Sequence, residues 1–241
     1  MERNAGGATM NPRPSPTFSA TERKAIREGK LTQARRVVMP KDMVRKGRNG
    51  VELWSGFLGW MTVENAMNPE LTTNRRTLGP YGKSGDVWYL REPLICGDMG
   101  RTTKYQDDGD LVRDGCGLTW LWRWKPASLS SMFMPAWAAR TFLRITGVRV
   151  ERIQDISDAD CKAHGTSDVE HGCLCPLDEY IDFVRYCGKC GNRLVNWQED
   201  FRQDWDSKTS NRPGCSWKDN PFVWAYAFRP ATPEEVKEAR P

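Results

Sequence analysis

Four cysteines stand in two close pairs, Cys173-Leu174-Cys175 and Cys187-Gly188-Lys189-Cys190, with eleven residues between the pairs. Thiolates grouped in this way are metal ligands or redox couples. The redox reading of C-x-x-C calls for a thioredoxin-like βαβ context, which the surrounding sequence lacks. Zinc is the better match, because Gly188 and Gly191 allow the tight turn that aims both thiolates of the second pair at one ion. Cys173, Cys175, Cys187 and Cys190 would close a tetrahedral site without an open position, so the expected Zn²⁺ is structural. The C-x-C half is less usual than C-x-x-C, and His171 and Cys161 are alternative donors to it. Cys96, Cys116 and Cys215 read as buried apolar residues or inert thiols.

A second chemistry lies in charge. The stretch Arg23 to Arg48 carries Arg23, Lys24, Arg27, Lys30, Arg35, Arg36, Lys41, Arg45, Lys46 and Arg48 against Glu22, Glu28 and Asp42. A solvated helix face accounts for the first third of that run. The adjacent Arg35 and Arg36, on an expected strand, fit phosphate pairing better. The third chemistry is aromatic. Eleven tryptophans are many for 241 residues, and indoles serve equally as core and as stacking platforms for bases.

Bulk properties bound these readings. Hydrophobic residues make up 39% and charged residues 28%, an ordinary globular composition. The net charge of +5 is compatible with a phosphate-bearing partner. No apolar run is long enough to cross a bilayer, and Met1 is followed by a polar Gly/Pro/Ser segment without a signal-peptide core. The expectation is a soluble, cytoplasmic protein whose cysteines are thiols or metal ligands rather than disulfides.

Elements must position these groups. Residues 1–17 read as a flexible tail. Ser19-Ala20-Thr21-Glu22 has the form of a capping box, opening a short helix that Gly29 ends. Leu31–Val38 follows as a strand. Residues 40–76, with Trp54, Phe57, Leu58, Trp60 and Met61 among charges, form a hairpin or an irregular excursion. The turn Gly79–Asp86 leads into the strand Val87–Glu92, and 97–117 is loop-like. Trp120, Trp122 and Trp124 alternate with Leu121 and Arg123, placing three indoles on one strand face. Thr141–Val150 is a long strand, and a helix to His164 is capped by Ser157. An amphipathic helix over Trp197–Ser207 and a closing strand over Pro221–Phe228 precede a charged tail. The fold class expected is α+β, a barrel with peripheral helices.

These segments resemble one family. Ala25-Ile26-Arg27-Glu28-Gly29-Lys30-Leu31-Thr32-Gln33-Ala34-Arg35-Arg36 looks like the opening motif of ASCH-domain proteins, a helix followed by G-[RK]-K-T-x-T-x-R. Further matches come in order: Tyr81–Asp86 with Arg91-Glu92, Trp124-Lys125-Pro126, Met134–Arg140, Val148–Ser157, and Asn220–Trp224. Versions with the W-K-P, M-P-x-W-A and N-P-x-V-W blocks resemble those of bacteriophages and prophages. The resemblance implies a PUA-like β-barrel over 18–230, interrupted by a zinc-knuckle insertion at 166–195, with tails at 1–17 and 231–241. It also implies recognition of RNA or modified nucleotides.

One bacterial branch of the family is an amidohydrolase on N4-acetylcytidine, working through a lysine, a threonine and a glutamate. Carried over by motif, those positions read Leu31, Ala34 and His164, so the hydrolase set is absent. His164 is a weak substitute base, and a partly buried helix residue or a stray metal ligand is the preferred reading of it. The expected function is a binding module for nucleic acid or a modified nucleotide, in the host cytoplasm if phage-encoded. In a cleft between the Leu31–Val38 strand, the Gly82–Glu92 turn-strand and the 156–164 helix, Thr32, Arg35, Arg36, Lys83 and Arg91 would supply polar and phosphate contacts, and Trp88 with one of Trp120, Trp122 or Trp124 a stacking surface. The alternatives are an amidohydrolase with a relocated catalytic set, and a phage protein that binds a host protein. A flat apolar patch over 50–62 would mark the last.

Overall fold

The computed structural model describes residues 12–38, 44–48, 50–54, 59–66, 80–97, 100–165, 178–181, 184–187 and 197–239. The protein is α+β, with a curled, mixed five-stranded half-barrel sheet and helices. Its strand order is β1 (Arg13–Pro14), β6 (Val87–Tyr89), β10 (Phe142–Arg152), β13 (Phe222–Pro230), β2 (Gln33–Val37). The chain divides into two compact units, Met1–Gly29 with Met67–Val148 and Tyr226–Pro241, and Lys30–Ala66 with Arg149–Ala225. Strands β10 and β13 are divided between them.

In the first unit, α1 (Ala20–Arg27) opens with the expected capping box: Glu22 N donates to Ser19 Oγ at 3.2 Å, and Ser19 N donates to Glu22 Oε2 at 2.7 Å. Two orphan amides are thereby satisfied. Arg13 and Pro14, expected in a flexible tail, instead pair in parallel with Trp88 and Tyr89. Proline is tolerated there because β1 is an edge strand. The turn before β6 needs glycine at position 82. Its φ is +117°, and a Cβ there would lie 2.5 Å from Asp86 Oδ2, which accepts from Lys83 N. Strands β7 (Leu94–Gly97), β8 (Thr102–Tyr105) and β9 (Ser128–Leu129) form a second sheet in the order β8-β7-β9. Thus the 97–117 region, expected to be loop, contributes a strand. The tail after β13 contains α5 (Pro233–Ala239), whose Ala239 enters the core with Val87, Tyr89, Leu94 and Phe142.

In the second unit, β3 (Val44–Gly47), β4 (Gly50–Trp54) and β5 (Trp60–Thr62) make an antiparallel meander, followed by α2 (Val63–Ala66). Ser157 caps α3 (Asp158–Ala163) by accepting from Asp160 N at 3.2 Å, as the sequence implies. Helix α4 (Trp197–Thr209) places Phe201 and Trp205 against Ile153, Ile156, Cys161 and Val223. A hairpin of β11 (Asp178–Ile181) and β12 (Val184–Cys187) pairs Asp178 with Cys187. No helix among the described residues is long and apolar enough to cross a membrane.

Candidate functional site

The groups expected to bind ligand fall in both units. In the second unit, β2 and the residue before it, Thr32, reach α3 through Thr32, Gln33 and Arg35. The Thr32 amide donates to Ala163 O at 2.7 Å, tying the start of the strand to the end of the helix. Arg35 is not at the surface: its residue exposure is 1%. Its Nε donates to Glu151 Oε1 at 3.0 Å, and Nη2 lies 2.9 Å from the same oxygen and 3.5 Å from Asp160 Oδ2. Its Cζ sits 5.8 Å above the Phe201 ring. Burial pushes the Arg35 pKa below the ordinary arginine value, against the pull of Glu151 and Asp160. A guanidinium so enclosed is an internal ion-pair partner and has no edge to offer a phosphate. Arg36 is half-buried, and its Nη1 donates to the Arg35 carbonyl at 2.7 Å.

Asp160 completes this network. It accepts from Gln33 Nε2 at 2.6 Å and from Arg149 Nη2 at 2.7 Å. Burial acts to raise its pKa, but the Gln33 hydrogen bond and Arg149 outweigh that and hold it below the ordinary aspartate value. Leu31 and Ala34, which the resemblance sets against the hydrolase lysine and threonine, are buried apolar side chains at 3% and 1% exposure. His164 is buried at the C-cap of α3, with its ring edge-on to Phe201 at 4.9 Å. That is the partly buried helix residue expected of it.

In the first unit, Trp88 has no exposed surface. Its Nε1 donates to Tyr81 O at 2.7 Å, and its ring packs on Tyr226 and Phe228 at 5.2 and 5.6 Å. It is a core residue without a free face for stacking. Lys83 is exposed at the glycine turn. Arg91 is half-buried, and its Nη2 donates to Thr17 Oγ1 at 3.3 Å.

Elsewhere in this unit lies a cleft that sequence reasoning missed. It has a volume of about 800 Å³ and is lined by Lys104, Tyr105, Asp110, Arg113, Asp114 and Trp137, among others. Trp137 sits on a single 3₁₀ turn, Ala136–Ala138, and is 40% exposed. Behind it the indoles form a cluster: Trp120 at 4.2 Å, and Trp124 nearly parallel at 6.2 Å, with Trp122 edge-on to Trp124. Arg123 lies over Trp120 at 5.1 Å. The alternation of Trp120, Trp122 and Trp124 was legible, but the segment is held by isolated bridges, Thr102 with Leu121 and Arg113 with Thr119, rather than by a full strand.

The cleft wall is electrostatically fixed. Arg140 donates to both oxygens of the fully buried Glu92 at 3.0 and 2.7 Å, to Asp108, and to Asp110 Oδ2 at 3.2 Å. Arg27 adds a bond to Glu92 Oε2 at 2.9 Å. Burial acts to lower the Arg140 pKa, but Glu92 and Asp108 outweigh it and hold it above the ordinary arginine value. Its Cζ lies 3.9 Å above the Tyr105 ring, whose hydroxyl donates to Ala138 O at 2.6 Å. Burial pushes the Tyr105 phenol up to about 12. Asp114 Oδ1 accepts from the amides of Cys116 and Leu118 at 2.9 Å each, and Arg113 Nη1 donates to Gly117 O at 2.9 Å. The signal for this site was present in the turn-forming Asp107-Asp108-Gly109-Asp110 and Asp114-Gly115, which seat acids and bases beside the tryptophan run.

No protein-family model matches the chain. Neither a curated protein nor a solved structure matches it.

The cysteine cluster falls outside the described residues, except for the backbone of Cys187 at the end of β12. Among the described residues, no group of His, Cys, Asp and Glu is placed to hold a metal ion. Of the other thiols, Cys215 is buried as expected, Cys161, named above as an alternative metal donor, is buried too, Cys96 is half-buried, and Cys116 is exposed at a turn. Burial pushes the Cys161 thiol up to about 11.

Proposed function

We propose that this chain is an ASCH-type, PUA-like barrel protein that binds nucleic acid or a modified nucleotide, with Trp137 as the stacking surface. The curled mixed sheet with peripheral helices supports the family reading, as does the ordered run of sequence blocks from Ala25 to Trp224. The observation that carries the function is the cleft. Its volume of about 800 Å³ is that of a small-molecule pocket, and a half-open indole borders it beside both donors and acceptors. Lys104 and Arg113 suit a phosphate, while Asp110 and Asp114 suit the amino edge of a base. A polyanion alone would not favour a wall carrying those two carboxylates, so we take the base to be the group recognised.

Binding rather than hydrolysis follows from the opening motif, since Leu31 and Ala34 supply neither a proton-transfer group nor a hydroxyl. The setting we propose is the cytoplasm of a phage host. A structural zinc on Cys173, Cys175, Cys187 and Cys190 belongs to the same proposal. The chain enters β11 at Asp178 and leaves β12 at Cys187, which are paired positions. Cys175 precedes the first by three residues and Cys190 follows the second by three, so the hairpin register suits a closure by four thiolates.

The test is a titration of nucleosides, modified nucleosides and short single-stranded oligonucleotides, read by tryptophan fluorescence. Trp137→Ala should weaken the best ligand by about 1 to 3 kcal/mol, the worth of one stacked base, with Trp137→Phe recovering most of it. Arg113→Ala should weaken only ligands that carry phosphate. Unchanged affinity in Trp137→Ala would remove the cleft as the binding site.

A further inference from the structure

The meander β3-β4-β5 has two unlike faces, set by its register. Val44, Leu53 and Met61 are mutually paired and lie on one face, where Val44 and Leu53 are buried. Arg45, Glu52 and Thr62 are paired on the other, joined by the Trp54–Trp60 pair. Among the described residues, this second face carries charged groups beside its indoles. Trp54 is 39% exposed and meets Trp60 edge-on at 5.5 Å. Arg45 stacks over Trp60 at 4.2 Å, and its Nε donates to Glu52 Oε2 at 2.8 Å. Sandwiched between an indole and a carboxylate, the guanidinium is fixed in orientation yet keeps half of its side-chain surface in solvent.

We infer that this face is a second contact for single-stranded nucleic acid, separate from the Trp137 cleft and resting on the reading of the protein as a nucleic-acid binder. Charge decides the occupant. On this face the exposed Arg45, with the exposed Arg48 in the adjoining turn, stands against the half-buried Glu52, whose charge is already taken by Arg45; Lys46 alternates to the opposite face. The excess is positive: Arg45 lies beside Trp60, and Arg48 stands in the turn between β3 and β4, at the other end of β4 from Trp54. Chemistry decides the strandedness. Trp54 offers a ring face to a base, and a base presents its face only when it is not stacked within a duplex. A base on Trp54 with its phosphates on Arg45 and Arg48 uses the sheet as a platform that tolerates any sequence, because every base has a π-face. The cleft would then select and the meander would hold.

Fluorescence-detected binding of a fifteen-residue oligo-dT and of its RNA counterpart oligo-U, over a series of salt concentrations, tests this on the full chain. Trp54→Ala should reduce affinity about 5-fold or more at every salt concentration. Arg48→Glu, at an exposed turn where folding is not at risk, should reduce affinity and flatten the salt dependence by about 0.7 in slope for each phosphate that is no longer neutralised. A thermal melt of each variant within a few degrees of the parent separates these effects from unfolding. Unchanged affinity and slope in both variants, with Trp137→Ala still impaired, overturns this inference alone and leaves the face to a protein partner. Loss in Trp54→Ala with none in Trp137→Ala upholds the meander and overturns the cleft. Absence of oligonucleotide binding by the parent overturns both.

Discussion

Arg35 and Trp88 show what separates a residue's type from its role. Both have side chains that bind nucleic acid when exposed, and both are enclosed: the guanidinium by Glu151, Asp160 and Phe201, the indole by Tyr226 and Phe228. Trp137, of the same type as Trp88, stays open because it rides a 3₁₀ turn instead of a central strand. Beneath the cleft, Tyr105 gives a sharp test at this scale. Its folded pKa, pushed by burial up to about 12, lies above the ordinary tyrosine value of 10. The neutral phenol is therefore favoured by folding. The stability it contributes is complete below pH 10 and is lost as pH rises towards 12. Phenolate absorbance should show a late component near pH 12 that disappears in Tyr105→Phe. A parent protein that remains folded while every tyrosine ionises near pH 10 would contradict the burial of this hydroxyl.

At the scale of elements, Arg35 is the joint between β2, β10 and α3. It reaches Glu151 on the strand and Asp160 on the helix, while Arg149 bridges the same two carboxylates from outside. Removing it strands buried charge. Arg35→Ala should lower the urea midpoint, with a loss of about 3 kcal/mol, since breaking one side of a buried pair costs more than the pair was worth. If the variant is as stable as its parent yet binds oligonucleotide more weakly, Arg35 belongs to the surface after all. Local signals made several elements legible. The Ser19–Glu22 capping box, Ser157 at its N-cap, and the apolar faces of α4 and β13 all hold in the structure, because each depends on neighbours within one turn or one strand. The meander over 44–62 was not assignable, because its strands are three to five residues long and their pairing is what defines them. The same reason hid β1, whose two residues become a strand only through Trp88 and Tyr89.

At the scale of the molecule, the order of motifs suggested one barrel, and the sheet does gather strands from the beginning, middle and end of the chain. Its cleft was invisible in sequence because the lining comes from turns at 109–115 and from the 3₁₀ turn of Trp137, and spacing along the chain does not encode their approach. For the cysteine segment, spacing alone carries the proposed zinc site. A closed site of four thiolates supplies folding free energy to the segment that carries it, and that energy leaves with the metal. Gently purified protein should contain one zinc per chain by elemental analysis. A strong chelator should make the region between about 166 and 196 sensitive to protease, while far-ultraviolet circular dichroism retains most of its amplitude, because Trp88 packs on Tyr226 and Phe228, and Phe201 on Ile153, Trp205 and Val223, all outside that region. Cys190→Ser should reproduce that pattern without chelator, and Cys116→Ser, at an exposed turn, should not. Protein without stoichiometric metal, or one whose protease pattern ignores the chelator, would remove zinc from the proposal and return the C-x-C and C-x-x-C pairs to thiol chemistry.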